Sequence, residues 1–216
     1  MAKMKNPSKT KIWATAEILV LLLLPLPFFK LNLIYLFAAL GITLISKFIR
    51  KEMWSDIGFL KVTAKPLLLA AAIGILYGFA DNFLIEPVIT RIVGAEPDLS
   101  AYQGVKGSLS GLILMLLLGW FVGGLFEEYF YRGYLFKRMS ILISNPVFFK
   151  WAAILITSVV FAFAHDYQGI GGISDTFIFS VIMGSLYFVL GKNVWYLVLI
   201  HGCYDMVGIF RLYLGK

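Results

Sequence analysis

The chain has 216 residues, of which 60% are hydrophobic and only 14% are charged, and its formal net charge is +7. Because a soluble domain has roughly 25% charged residues, this composition excludes an ordinary soluble globule and predicts a membrane protein with a single domain over residues 1–216. The lysines and arginines gather at the ends of apolar runs, as the positive-inside rule expects, so the positive charge indicates membrane topology and we predict no nucleic-acid partner.

Apolar stretches near the ~20 residues needed to cross a bilayer predict an all-α, polytopic fold with about seven transmembrane helices. These stretches are 12–29, 31–49, 66–86, 108–139, 147–166, 173–191 and 194–213. The first follows Lys3 and Lys5 and ends near Pro25 without a small-x-small cleavage site, so we interpret it as a retained span rather than a signal peptide. Residues 50–65 predict an interfacial segment, and residues 87–107 form the longest polar connection.

The charge distribution also predicts the orientation of the chain. The N-terminal lysines place the start of the chain in the cytoplasm. The same side then receives Lys47, Arg50, Lys51, Lys61, Lys65, Lys137, Arg138, Lys150 and Lys192. The opposite side receives residues 87–107 together with Asp166 and Asp175. Every connection agrees with a cytoplasmic N-terminus.

Ionisable residues inside the predicted spans indicate a functional site, because charges within a membrane are expensive. The chain has two histidines, His165 and His201, and Asp205 follows the second by four residues. A third span carries Glu127. At ~1.5 Å per residue from the nearest cytoplasmic lysine, Glu127, His165 and His201 lie about 15, 22 and 13 Å deep. Polar side chains on three spans therefore reach similar depths, which predicts one polar intramembrane site.

The fourth predicted span holds two adjacent glutamates that need different roles. Glu128 and Arg132 are four residues apart, in the order that favours an ion pair on a helix. Glu127 points about 100° away from Glu128 at 3.6 residues per turn. We therefore assign Glu128 to a structural pair with Arg132 and leave Glu127 free for chemistry. Gly123 and Gly124, one turn earlier, would let another helix or the substrate come close.

A carboxylate and two imidazoles around a wet cavity can activate water. His201 and Asp205 could orient a developing oxyanion. They could also hold a divalent metal such as zinc together with Glu127 and His165, because two histidines and a carboxylate form a known catalytic zinc set. The His-Glu-x-x-His signature is absent. The spacing therefore leaves metal-dependent and metal-free chemistry open.

Three other polar residues are weaker candidates. Cys203 lies two residues from the second histidine, about 200° round a helix, so a thiol–histidine dyad is not expected. Ser158 lies near His165 in the sequence, but nothing else supports it as a nucleophile. Asp81 lies near the outer end of the third span, so we interpret it as a marker of the membrane interface rather than a site residue.

Three motifs in order resemble those of the CPBP intramembrane endopeptidases, a family that includes the type II CAAX prenyl proteases and the bacterial Abi or bacteriocin-immunity proteins. The motifs are Glu127-Glu128-x-x-x-Arg132, Phe161-x-x-x-His165 and His201-x-x-x-Asp205. Their order, spacing and placement on separate spans agree with the family over a motif-bearing core of residues 108–210. The first three spans resemble the family only in character.

The resemblance implies an all-helical membrane fold with a site that opens toward the cytosol. It implies that Glu127 with His165 activates water, that His201 and Asp205 steady the oxyanion or a metal, and that Glu128, Arg132 and Phe161 support them. Eukaryotic-type prenyl proteases usually have asparagine at the position of Asp205, whereas many bacterial relatives have aspartate. Asp205 therefore favours a prokaryotic cell membrane and a prokaryotic peptide or membrane-protein substrate over a prenylated CAAX protein, and it leaves open whether the substrate is prenylated.

We therefore predict an intramembrane endopeptidase of the glutamate or metallo type, which acts on a membrane-associated peptide or protein in the lipid bilayer. The favoured mechanism does not require a metal. Two alternatives remain open. One is a non-proteolytic scaffold or immunity protein of the same family. The other is a proton-coupled transporter that uses Glu127, Asp205 and the histidines as a relay, although the sequence shows neither the internal repeats nor the paired broken helices that transporters commonly have.

Overall fold

The computed structural model describes residues 7–26 and 34–215, and every regular element within these ranges is a helix. The main helices are α1 (Pro7–Leu23), α2 (Ile34–Arg50), α3 (Ala64–Val93), α4 (Leu109–Leu142), α5 (Pro146–Phe163), α6 (Gly169–Val189) and α7 (Val194–Leu214). Short 3-10 helices lie at Trp54–Ile57, Ser100–Val105 and Asp166–Gln168. The all-α prediction is confirmed. Lys3, Lys5 and the predicted end of the first span at residues 27–29 lie outside the described residues.

Five of the seven main helices in the described part of the chain qualify as membrane spans by length and composition. Helices α3 to α7 are long and apolar enough to cross a membrane, when α6 is taken together with the short helix before it. Helices α1 and α2 have 17 residues each within the described part of the chain. The predicted seven spans are therefore approximate, with five of them supported by length and composition.

Helix α3 continues past its predicted end at residue 86. A π-helical turn at Asp81–Ile85 precedes the segment Glu86–Val93, and Pro87 lies in the first turn of that segment. Proline inside a helix removes one backbone hydrogen bond, and here the helix continues through Pro87 directly after the π-helical turn. The helix ends at Gly94, which adopts the left-handed conformation (φ 78°) that commonly terminates helices. The prediction of a polar connection starting at residue 87 was therefore wrong for its first seven residues, which are helical.

Helix α4 carries most of the motif residues and is wound as a π-helix from Gly119 to Leu135. A π-helix uses i→i+5 hydrogen bonds and is frequent at functional sites. This winding changes the angle between neighbouring side chains, so the 3.6-residue wheel does not apply to Glu127 and Glu128. Every residue from Glu127 to Leu135 is buried.

Helix α7 lies at the centre of the fold, against α3 on one side and α4 on the other. Small residues make both contacts close. A Cβ on Gly74 of α3 would collide with the Ile200 carbonyl, and a Cβ on Gly124 of α4 would lie 3.1 Å from the Val198 carbonyl. Glycines let membrane helices approach each other in this way. The close approach of α4 and α7 brings their polar residues together.

A buried cluster of charges joins α1 and α2 to the end of α4. The Arg138 guanidinium is fully buried and donates to both carboxylate oxygens of Glu52, at 2.7 and 2.6 Å. It also pairs with Glu17 at 2.9 Å, and Glu17 pairs with Arg50 at 2.8 Å. A buried charge needs such partners. Arg138 is thus a core residue rather than the exposed boundary charge that the sequence suggested.

Candidate active site

A cavity of about 450 Å³ lies among α3, α4, α6 and α7 and extends to the turn after α5. Its lining includes most of the predicted site residues, namely Glu127, Phe161, His165, His201 and Asp205. The remaining two, Glu128 and Arg132, are fully buried and do not line it. The structure therefore places residues of all three motifs around or directly behind one cavity.

The Glu128 carboxylate accepts hydrogen bonds from residues of two helices, α4 and α7. Its Oε1 accepts a hydrogen bond from Arg132 Nη1 at 2.9 Å and another from His201 Nδ1 at 2.8 Å. The expected pair with Arg132 is present, but Glu128 also contacts His201, so its role is not only structural. A carboxylate on one ring nitrogen sets the orientation of a histidine, so Glu128 also determines which edge of His201 faces the cavity.

Arg132 extends this network to α6. Its Nη2 donates to the Ser180 hydroxyl at 2.8 Å and to the Ser180 carbonyl at 3.1 Å. The ring of Phe161 covers the guanidinium, with its centroid 5.2 Å from Cζ. Arg132 thus ties α4 to α6 and holds Glu128 in place. No sequence signal identified Ser180, because a single serine within an apolar span belongs to no recognisable motif.

His201 presents its second nitrogen to two carboxylates. Its Nε2 lies 3.6 Å from Asp205 Oδ1 and 3.9 Å from Glu127 Oε2. A Cβ on Gly123 would collide with Asp205 and lie 3.3 Å from His201 Nε2. The close approach expected at this glycine is therefore present. Glu127, His201 and Asp205 surround one point in the cavity, although they come from two helices.

His165 lies just beyond α5, which ends at Phe163 and not at residue 166 as predicted. The chain turns here and passes through Gly169, whose φ of 67° suits glycine. His165 Nδ1 is 2.8 Å from the Phe161 carbonyl. Because a carbonyl can only accept, Nδ1 carries the proton and Nε2 of the neutral ring is an acceptor. Among the described residues, no hydrogen bond or ion pair joins His165 to Glu127, so the two are neighbours in the cavity rather than direct partners.

The donor atoms of the cavity do not form a metal-binding group as they stand. Within residues 7–26 and 34–215, no three His, Cys, Asp or Glu side chains are arranged to hold one metal ion. Zinc requires three or four such donors at about 2.0–2.3 Å. A metal held by Glu127, His165, His201 and Asp205 stays a prediction.

Reasoning from the sequence missed several residues of the cavity, among them Asp81 and Phe179. Asp81 is only 4% exposed and lines the same cavity as Glu127, so its assignment as an interface marker is corrected. Its Oδ2 accepts a hydrogen bond from the Tyr204 hydroxyl at 2.7 Å. Phe179 packs against both His201 and Tyr204, with ring centroids 4.7 and 4.5 Å apart. The sequence signal for Asp81 was a charged residue inside an apolar span. Phe179 had no such signal, because phenylalanine is common in apolar spans.

Cys203 faces α3 and not the cavity. It is buried, and a Cβ on Gly74 would come within 2.8 Å of the Cys203 Cβ. Ser158 is also fully buried and does not line the cavity. Neither residue is placed to act as a nucleophile there.

We expect Cys203→Ser to cleave peptides at a rate near that of the wild type, because its side chain does not reach the cavity. The measurement is the rate of peptide cleavage with and without a thiol reagent. Stoichiometric inactivation of the wild type by the reagent, prevented by substrate, would contradict this expectation and restore the thiol-protease alternative.

The cavity extends to the end of the bundle that carries the connection between α3 and α4. Pro97, Leu99 and Tyr102 of that connection line it. The lysine-rich ends of α4, α5 and α6 lie at the opposite end of the bundle. The charge pattern predicts that those lysine-rich ends are cytoplasmic, whereas the resemblance implies a site open to the cytosol. In this structure the two expectations exclude each other.

Residues 109–207 match the family model of the Rce1-like type II CAAX prenyl endopeptidases. This stretch contains all three motifs, from Glu127 to Asp205. Neither the curated proteins nor the solved structures give a significant match to the chain. Together with five helices able to cross a membrane, the match indicates an integral membrane protein with a CAAX-type, protease-like function. The match covers somewhat less than half of the chain and supports the CPBP endopeptidase family that the three motifs predict.

Proposed function

We propose that the chain is an intramembrane endopeptidase that hydrolyses peptide bonds of a membrane-associated peptide or protein. One observation carries this proposal. A carboxylate, Glu127, and two imidazoles, His165 and His201, line one cavity inside the region that matches a peptidase family. A carboxylate or an imidazole near substrate is the usual kind of group for activating water.

The geometry supports a division of labour among these groups. A water molecule between Glu127 and His165 Nε2 gives its proton to one of them as its oxygen attacks the carbonyl carbon of the peptide. That proton then passes to the amine nitrogen as the C–N bond breaks. His201, whose Nδ1 donates to Glu128 at 2.8 Å, stabilises the oxyanion as an imidazolium, because only the protonated ring also donates from Nε2. Such preorganised stabilisation of developing charge is commonly a large contribution to catalysis.

Asp205 distinguishes metal-dependent from metal-free hydrolysis. If Asp205 only orients His201 or the oxyanion, an amide can still form a hydrogen bond. Asp205→Asn should then keep measurable activity while Asp205→Leu loses it. We also expect substoichiometric zinc in elemental analysis of active protein and weak inhibition by a chelator. One tightly bound metal per chain, lost together with activity in Asp205→Asn, would instead make the protein a metalloprotease.

The proposal is tested with purified protein in liposomes and a library of membrane-associated peptides, with products identified by mass spectrometry. The comparison is a folded Glu127→Gln variant, which we expect to yield no products. If the wild type binds peptides and cleaves none, the protein is a non-proteolytic member of the family. Proton flux coupled to solute uptake without cleavage would support a transporter.

We further propose that the cavity opens on the non-cytoplasmic side of the membrane. The opposite end of the bundle carries most of the basic residues, namely Lys47, Lys51, Lys61, Lys65, Lys137, Lys150 and Lys192. The cavity end carries acidic residues as well as basic ones, with Glu86, Glu96, Asp98 and Asp166 beside Arg91, Lys106 and Arg211. The positive-inside rule then places the basic end in the cytoplasm. A cytosolic CAAX protein could not reach a cavity with this orientation.

Single cysteines test this orientation in a Cys203→Ser background, which has no other cysteine. Ser100→Cys lies at the cavity end and Ser140→Cys at the opposite end, and both positions are exposed. We expect a membrane-impermeant maleimide to label residue 100 in intact cells and residue 140 only after permeabilisation. The reverse labelling pattern would place the cavity mouth in the cytosol.

A further inference from the structure

The cavity contains more carboxyl groups than its catalytic residues account for. Among the described residues that line it, the carboxylates are Asp81, Glu86, Glu127, Asp175 and Asp205, and the only guanidinium or ammonium is that of Arg211. Glu86 pairs with Arg211 at 2.9 Å. Glu127 and Asp205 face His201. Asp81 and Asp175 therefore form no ion pair with a described residue, although Arg211 lines the same cavity.

Both of these aspartates have an unsatisfied oxygen. Asp81 is 4% exposed, and its Oδ1 is buried without a hydrogen-bond partner, although Oδ2 accepts from Tyr204. Oδ1 of Asp175 is also buried without a partner. Asp175 lines the same cavity as Asp81 and Glu86. Buried polar atoms are normally satisfied, and an exception needs an explanation.

The backbone around Asp81 is also unusual. Asp81 begins the π-helical turn Asp81–Ile85 of α3. Such turns occur mainly as single-turn insertions in α-helices and frequently lie at functional sites. Asp175 comes from a different helix, α6. Two helices thus contribute one carboxylate each to the same cavity.

We propose that Asp81 and Asp175 form a subsite for the ammonium or guanidinium group of a lysine or arginine in the peptide substrate. A basic side chain supplies several N–H donors to a pair of carboxylates, and charge-assisted hydrogen bonds of this kind are strong. Its aliphatic stem can lie along apolar surface, which Leu118, Val122 and Phe179 provide in the cavity wall. A metal ion does not fit equally well, because the described residues contain no group of three suitable ligands.

The subsite lies next to the proposed catalytic groups. Tyr204, which binds Asp81, precedes Asp205 on α7. The ring of Phe179 contacts both Tyr204 and His201. The basic residue of the substrate would therefore lie within a few positions of the cleaved bond. This inference rests on the proposed peptidase function, which it deepens by naming a substrate class.

The test compares two peptides that differ at one position near the cleaved bond, with lysine in one and uncharged norleucine in the other. We expect the wild type to prefer the lysine peptide in kcat/KM. Asp81→Asn and Asp175→Asn should each reduce that preference about 10-fold to 100-fold, the effect expected for a hydrogen bond to a charged group. Glu96→Gln removes an exposed carboxylate from the same end of the protein without touching the cavity, and it should change neither rate.

Equal cleavage of the two peptides by the wild type would overturn the subsite. Equal loss of both cleavage rates in a folded Asp81→Asn variant would also overturn it. If Asp81→Asn does not fold, the same comparison is made with Asp175→Asn. Binding of the same two peptides, labelled with a fluorophore, to Glu127→Gln protein makes the test independent of cleavage. A lysine preference in binding with no cleavage by the wild type would retain the subsite and refute the peptidase function. Cleavage with no lysine preference in binding would refute the subsite and retain the peptidase function.

Discussion

Glu127→Gln is expected to lower peptide cleavage about 10²–10⁴-fold, the loss typical of a missing general base. Glu127 lines the cavity, and its nearest ionic partner is His201 Nε2 at 3.9 Å, whereas the neighbouring Glu128 is bonded to both Arg132 and His201. Glutamine keeps the size of the side chain but cannot accept the proton of water. The measurement is kcat/KM on a cleaved peptide, with thermal unfolding in detergent as a check on folding.

Glu96→Gln is the matched control for this prediction, because it makes the same change outside the cavity and should leave kcat/KM unchanged. Full activity in a well-folded Glu127→Gln variant would remove Glu127 from the mechanism. The role of base would then pass to His165, whose Nε2 is free to accept because Nδ1 donates to Phe161.

Arg132→Ala is expected to lower the free energy of unfolding by about 3–5 kcal/mol, because it strands a buried charge. The side chains of Arg132 and Glu128 have no exposed surface and pair at 2.9 Å. The substitution also removes both hydrogen bonds to Ser180 and the one to Glu128, the carboxylate that orients His201. The measurement is the unfolding of the purified protein in detergent, and activity should fall along with stability.

Arg211→Ala provides a control for the stability loss. Arg211 also pairs with a glutamate at 2.9 Å, but its side chain is 36% exposed. An exposed pair contributes about 0–1 kcal/mol, so the loss should be much smaller. An Arg132→Ala variant that is fully stable and yet inactive would contradict a supporting role and would make Arg132 a group that acts on the substrate.

The membrane class, the helices and the family were accessible from the sequence because each depends on local patterns. Apolar runs of sufficient length predict spans wherever they occur, and the helices α5 to α7 begin and end within a few residues of their predicted bounds. The three motifs identified the family because their order and spacing are properties of the chain itself. The predicted pair Glu128–Arg132 follows from a separation of four residues, and it is present.

Tertiary structure alone decided how these residues face one another. Glu128 reaches His201 because α4 is wound as a π-helix between Gly119 and Leu135 and packs closely on α7, and neither property has a local sequence signature. Asp81 belongs to the cavity because α3 packs against α7, so that Tyr204 can donate to it. Hydropathy reports how apolar a segment is, but the direction of each side chain depends on helix winding and on packing between distant parts of the chain.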